Sequence, residues 1–338
     1  MNGISHISPI ADESAVGEAR RAALAMASNA GFSETDAGKV AIAVTEAASN
    51  VLRHGKGGEI LLRPMGNGIE MLAIDKGPGI ANLGDAMEDG RSTAGSAGIG
   101  LGAIARLASF FDLYTSEGIG TVLAARFHPL EIPEPGARPA EGLDVGVAQS
   151  PYPGELACGD AWAMEGNRVL VADGLGHGFA AAQAAQAAVE VFAGNWERPV
   201  RDIVEAAHLA LKPTRGAALA IAEADPDSRK VRFCGLGNIS GTIVADGISR
   251  GMVSHNGTAG HEIHRIDQFE YAWPEGALLV MHSDGISAKW DLAAYPGLAD
   301  RHPSLIAAII YRDFRRQRDD ATVVVVKAAD RQARREAT

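Results

Sequence analysis

Between Pro129 and Pro139 the chain reads Pro-Leu-Glu-Ile-Pro-Glu-Pro-Gly-Ala-Arg-Pro, and no other stretch constrains the fold as much. Proline lacks an amide hydrogen and has a fixed φ, so this run can extend neither a helix nor a central strand. Residues 129–141 are therefore expected to form an extended, somewhat stiff linker. The linker separates residues 1–128 from residues 142–328, each long enough for one domain, and 329–338 reads as a charged, frayed tail. Of the 338 residues, 46% are apolar and 22% charged, so packed cores are expected rather than disorder. Aromatics are only 5%, which leaves alanine, valine, leucine and isoleucine to fill those cores.

The net charge of -11 argues against a nucleic-acid partner, since phosphate backbones need clustered lysine and arginine. Two cysteines, Cys158 and Cys234, make no disulfide framework and favour a reducing compartment. Residues 1–10 lack the basic and apolar regions of a secretory signal, and no apolar run approaches the ~20 residues that span a bilayer. The expectation is a soluble cytoplasmic protein without a membrane partner.

In the first part, Ser14–Asn29 and Glu34–Arg53 have helical apolar spacing. Strands are expected at Glu59–Arg63 and Ile69–Asp75, a helix at Gly100–Phe110, and a hairpin of Asp112–Ser116 with Gly120–Phe127. That order places helices on one face of a mostly antiparallel sheet. In the second part, strands are expected at Asp144–Gln149, Asn167–Ala172, Ala217–Glu223, Lys230–Gly235, Thr242–Ala245, Ala277–Met281 and Ala321–Lys327. Helices are expected at Phe179–Gly194, Val200–Leu211 and Pro303–Phe314, so packed sheets with helices outside them are the expected architecture.

Glu46 and Asn50 are four residues apart on a helix and share a face, with His54 one turn further on. A carboxylate and an amide oxygen there suit magnesium bridging nucleotide phosphates; a solvated polar stripe would look the same. Asp75, at a strand end, can accept a hydrogen bond from an adenine amino group, and Gly77 and Gly79 let the backbone turn beside a base. Gly98, Gly100 and Gly102 then open a helix, where unpaired amides and the dipole favour anions. Each loop alone reads as an ordinary turn, and the ordered set is more specific.

That set resembles the GHKL ATPases, and within them the anti-sigma-factor serine kinases. Glu46–Asn50 is similar to the N box, Asp75–Gly79 to the G1 box and Gly98–Gly102 to the G2 box. Met87–Thr93 and Phe111–Leu113 resemble the stressosome switch kinase most. The resemblance implies an α/β (Bergerat) sandwich that binds ATP, with Asn50 on Mg2+, Asp75 reading adenine and Glu46 as general base toward a substrate hydroxyl.

The second part carries four aspartates in short motifs: Cys158-Gly159-Asp160, Asp173-Gly174-Leu175-Gly176-His177-Gly178, Ser283-Asp284-Gly285 and Asp319-Asp320-Ala321-Thr322. Singly, an Asp-Gly is a turn. Held at strand ends of rigid sheets, distant carboxylates can meet, and they repel unless cations neutralise them. Two ions ~3.5–4 Å apart can then share a hydroxide for in-line attack at phosphorus. An all-oxygen site suits Mn2+ or Mg2+.

The four motifs in this order resemble the SpoIIE-type branch of the PPM serine/threonine phosphatases, an α-β-β-α sandwich. The resemblance implies Asp160, Asp173, Asp284 and Asp319 as catalytic metal ligands, with the Gly174 carbonyl completing one ion. Asp320 is the lesser candidate beside Asp319. His177 belongs to the same motif, either touching phosphate or shaping the turn. Cys158 reads as a small buried residue with no nucleophile signature around it, and Arg315–Arg318 as a solvated face able to attract a phosphorylated partner.

Together the two parts imply an α+β regulator that phosphorylates and dephosphorylates STAS-type anti-sigma-antagonist or stressosome proteins. A sigma factor or a downstream phosphatase is a further possible partner. The alternative is a phosphatase whose first part only senses ATP or binds a STAS protein or sigma factor.

Overall fold

The computed structural model describes residues 5–87, 100–129 and 142–329. Gly98, most of Met87–Thr93, nearly all of the proline-rich run and the charged tail lie outside the described residues. The chain divides into two compact units, with the division between residues 137 and 138.

The first unit runs β1 (His6–Ile10), α1 (Glu13–Asn29), α2 (Glu34–Arg53), β2 (Gly58–Met65), β3 (Gly68–Asp75), α3 (Leu83–Met87), α4 (Leu101–Leu107), β4 (Phe110–Ser116) and β5 (Gly120–Phe127). Asp12 starts α1 by accepting the Ser14 and Ala15 amides, and Ser33 starts α2 by accepting that of Asp36. The sheet order is β1-β2-β3-β5-β4, with every pair antiparallel. Alternate residues Ile60 and Leu62, Ile69 and Met71, Leu123 and Ala125 meet Ala19 and Ala23 of α1, Val40 and Val44 of α2 and Ile104 of α4 in one core. The helices thus cover one face of the sheet, as the sequence leads one to expect. α4 is shorter than expected because the Ser109 amide bonds the Arg126 carbonyl and draws Phe110 into β4.

The second unit runs β6 (Leu143–Ser150), β7 (Asp160–Glu165), β8 (Arg168–Gly174), α5 (Phe179–Asn195), α6 (Val200–Ala210), β9 (Ala217–Asp225), β10 (Lys230–Leu236), β11 (Ser240–Ala245), β12 (Ile248–Gly251), β13 (Phe269–Ala272), β14 (Leu278–His282), α7 (Pro303–Phe314) and β15 (Ala321–Ala328). Two antiparallel sheets result, β13-β10-β9-β8-β7 and β12-β11-β14-β15-β6. Their facing sides share a core that includes Val171, Ala220, Phe233, Leu279 and Val324. On the outer side of the first sheet, Leu170, Leu219 and Ile221 pack against Phe192 of α5 and Ile203 of α6. α7 lies on β6 and β15, and comes so close that a Cβ on Gly146 would stand 2.0 Å from the Ser304 nitrogen. The unit is an α-β-β-α sandwich. Among the described residues no helix is long and apolar enough to cross a membrane.

Candidate active sites

On β6, β7, β8 and β15 the inward side is apolar along most of its length and polar at one end. β8 reads Val169, Val171, Asp173, and β7, in the reverse direction, Met164, Trp162, Asp160. β15 reads Val326, Val324, Thr322, and β6 Val145, Val147, Gln149. Period-two alternation therefore caps the shared core with a polar layer. Asp160 and Asp173 are register partners across β7 and β8, so their side chains share a face.

Ser283, just beyond β14 in the opposite sheet, donates its hydroxyl to Asp160 Oδ2 at 2.6 Å and accepts the Thr322 amide at 3.1 Å. Gln149 Nε2 donates to the Asp160 carbonyl at 3.0 Å. Asp160 Oδ1 is buried without a hydrogen-bond partner among the described residues. Asp284 Oδ2 accepts from Asn238 Nδ2 at 2.7 Å, and Asp319 Oδ1 from the Asp320 amide at 3.1 Å. Asp173, Asp284 and Asp319 line one cavity of about 600 Å³, together with His177, Asn238 and Arg318. Two glycines are forced here. A Cβ on Gly174 would meet the Ala181 carbonyl oxygen at 2.0 Å, and one on Gly285 the Asp320 carbonyl oxygen at 1.8 Å.

The electrostatics follow from that crowding. Asp173 is held well above the usual carboxylate range by burial, then by the charges of Asp160, Asp284, Asp319 and Asp320. Burial also raises Asp160, against the hydrogen bond from Ser283, and raises Asp319, with Asp284 adding to the shift. His282 is buried, and burial lowers its imidazole below the ordinary value, against the bond to the Ser283 carbonyl. It meets the Ser283 carbonyl through Nδ1 at 2.8 Å and the Trp290 indole through Nε2 at 3.3 Å.

No group of three or more His, Cys, Asp or Glu among the described residues stands as a ready ligand set for one ion. The acids face protein donors instead, Asp284 toward Asn238 and Asp160 toward Ser283. The donor chemistry still fits a hard cation. It is all oxygen, it concentrates negative charge, and it includes a buried carboxylate oxygen that bonds nothing among the described residues.

Asp320 is buried, with Oδ1 accepting the Tyr152 amide at 2.8 Å. Cys158 is buried, its thiol donating to the Ser150 carbonyl and pushed far from thiolate formation by burial. Sequence reasoning missed Asn238, Ser283, Thr322, Tyr152 and Glu155. Thr322 and Ser283 sit inside the aspartate motifs and were legible there, whereas Asn238, Tyr152 and Glu155 carry no local signal.

In the first unit, Glu46 and Asn50 lie on α2, both half-buried. Burial raises the Glu46 carboxyl, with the charges of Arg53 and His54 opposing. The end of α2 abuts the end of β3, where a Cβ on Gly55 would lie 2.4 Å from Asp75 Cβ. Asp75 Oδ1 accepts the Gly77 amide at 2.8 Å and the Thr121 amide at 3.1 Å. Thr121 was not expected from sequence. Gly79 has φ +80°, and a Cβ there would strike the Ser116 carbonyl oxygen at 2.3 Å. Gly100 caps α4 without a side-chain bond, and Gly102 is buried inside that helix.

Residues 10–127 match the family described as histidine kinase-like ATPase domain, and residues 165–329 match stage II sporulation protein E (SpoIIE). The first part is 33% identical over 111 residues to the serine/threonine-protein kinase RsbT of Bacillus subtilis (strain 168), covering 32% of this chain and 84% of that one. The chain belongs to the GHKL-type ATPase family and joins that domain to a SpoIIE-type PPM phosphatase domain. A second relative, the phosphoserine phosphatase RsbX of the same strain, is 24% identical over 152 residues, covering 44% of this chain and 76% of that one. A solved chain from work on the bacterial stressosome, as a modular system adapted to control secondary messenger signaling, matches with TM-score 0.50 and 28% identity. It covers 55% of this chain and 99% of its own length.

Proposed function

We propose that this GHKL–SpoIIE chain is a bifunctional partner-switching regulator. It transfers phosphate from ATP to serine or threonine on STAS-type anti-sigma-antagonist or stressosome proteins, and removes it again. One observation carries the reading. A single chain pairs a part similar to the kinase RsbT with a part similar to the phosphatase RsbX, and the second part holds a converging acid cluster.

In the first unit, Asn50 would hold Mg2+ on the ATP phosphates and Asp75 would accept from the adenine amino group. Thr121 and Gly77 fix that carboxylate through their amides. Gly77, Gly79, Gly98, Gly100 and Gly102 would let the backbone approach the nucleotide. Glu46, made more basic by burial, suits accepting the substrate hydroxyl proton. Transfer itself is mostly positioning and charge neutralisation.

In the second unit, Asp160, Asp173, Asp284, Asp319 and the Gly174 carbonyl would hold Mn2+ or Mg2+. Bound there, the ions would activate water and polarise the phosphoryl oxygens. Ser283 and Gln149 anchor Asp160, Asn238 steadies Asp284, and Arg318 offers a cation to phosphate at the cavity wall.

The test is labelled ATP with a purified STAS-domain protein, alongside p-nitrophenyl phosphate with Mn2+. The expected result is protein labelling lost in Glu46→Gln, and ester cleavage lost in Asp173→Asn or with a chelator. A stable complex without labelling would reduce the first unit to a binding module. Chelator-resistant cleavage would sink the metal-dependent phosphatase.

A further inference from the structure

Three large apolar side chains stand exposed on two segments beside the acid-lined cavity: Leu175 (46% exposed) lines it, while Leu156 (99%) follows Glu155 and Phe179 (80%) lies two residues beyond the cavity-lining His177. Scattered exposed apolar residues are ordinary, but a group at the mouth of a candidate site marks an interaction surface. Leu156 and Leu175 belong to two loops that are fastened together, and Phe179 opens α5 directly after the second. His177 Nδ1 lies 3.0 Å from Glu155 Oε1, and Tyr152 stacks on His177 with ring centroids 4.4 Å apart at 18°. Leu156 follows Glu155 directly, and Leu175 and Phe179 stand two residues either side of His177. The loop between them is held in shape by left-handed Gly176 (φ +87°) and Gly178 (φ +74°). A Cβ on Gly178 would press against the Glu155 carboxylate at 3.1 Å. The lip is therefore a preorganised apolar edge, which lowers the ordering cost of binding against it.

We infer that this edge is the docking surface for the polypeptide around a phosphorylated serine or threonine. It favours phosphoproteins that carry a large aliphatic side chain within a few residues of the phosphate. The inference rests on the phosphatase reading of the same cavity. Leu175 both lines the cavity and is exposed at its mouth, so a phosphoester that enters as part of a chain lays that chain across the lip. A small free ester reaches the acids without touching Leu156 or Phe179. Those two residues therefore act on substrate choice and not on the chemical step.

The experiment uses the full chain with Mn2+ and three probes. These are p-nitrophenyl phosphate, a phosphoserine peptide flanked by leucines, and the same peptide with the leucines replaced by glutamines. The unaltered protein is expected to prefer the leucine peptide roughly tenfold or more in kcat/KM. Leu156→Ser with Phe179→Ser should erase that preference, chiefly through KM, while p-nitrophenyl phosphate turnover stays within twofold and reports an intact fold. Equal rates on both peptides, or a preference that survives the double variant, would overturn the inference. A dimer that Phe179→Ser dissolves, with the peptide preference untouched, would assign the lip to a second copy instead. No turnover of p-nitrophenyl phosphate by the unaltered protein would remove the phosphatase reading, and this inference with it.

Discussion

Glu46 and Asp173 are both carboxyls held above their ordinary range, but for different reasons. Glu46 is raised by burial on a helix face, and nearby positive charge opposes the shift. Asp173 is raised by burial and then by four other aspartates. The first pattern is an isolated base, the second a store of negative charge that calls for cations. The placement differs in the same way. Asp160 and Asp173 are fixed on adjacent strands, with Ser283 reaching in from the facing sheet, whereas Glu46 and Asn50 share one helix and Asp75 ends a neighbouring strand. A sandwich can gather acids from distant sequence. A helix presents a short pair and needs loops to complete the site.

The largest expected effect breaks the comparison if it fails. Asp173→Asn should lower p-nitrophenyl phosphate turnover by about 10³-fold, which is ~4 kcal/mol of barrier. Glu46→Gln should leave that turnover within about twofold while ending transfer from ATP. Equal damage to both reactions by either variant would erase the distinction between base and charge store.

Next come the glycines. Gly285→Ala should destabilise the second unit by ~3 kcal/mol or more in denaturant unfolding, because the added Cβ would lie 1.8 Å from the Asp320 carbonyl oxygen. Gly100→Ala has room, its nearest neighbour being the Ala86 carbonyl oxygen at 3.7 Å. Its stability should change by less than ~1 kcal/mol. A fall in ATP affinity there, read by titration calorimetry, would then report backbone approach to the nucleotide.

The pH dependence sharpens the contrast. Asp160, Asp173 and Asp319 are raised in the fold, so the folded form retains protons that the unfolded chain releases. The resulting cost is absent below the unfolded carboxylate value and grows as pH rises toward the folded values. Metal-free protein should therefore lose stability as pH climbs from about 4, and Mn2+ affinity should strengthen over the same range. Calorimetry in chelator and in Mn2+ across this range checks both slopes. A flat metal-free curve would remove the charge store. The smallest effect is Ser33→Ala, which deletes the cap of α2 and should cost ~1 kcal/mol in the first unit without changing turnover in the second.

Much of the fold was legible because its elements follow their own periodicity. Glu34–Arg53 and Pro303–Phe314 match α2 and α7 to the residue, each with a cap residue before it. β1 was missed because it is a short edge strand containing Pro9, β12 because its four exposed residues carry no alternation to read, and β13 because its Phe-Glu-Tyr-Ala alternation spans only four residues. β7 was missed although its two-residue Gly166-Asn167 turn is a hairpin signal, with Gly166 at φ +57°. The aspartates were readable because each sits in a short turn motif. Asn238 and Glu155 were not, since their roles exist only once β10–β11 and the loop before β7 are folded beside Asp284 and His177.

The ribbon made by β7 and β8 closes through just Gly166 and Asn167, and it carries Asp160 and Asp173 at its far end. The gap between those two acids is thus metered by residue count, like teeth on a zip. Adding one residue to either strand would swing its acid to the helix-covered side and leave the methyl of Ala161 or Ala172 in its place. Length in this ribbon is as strictly fixed as the identity of the acids it holds.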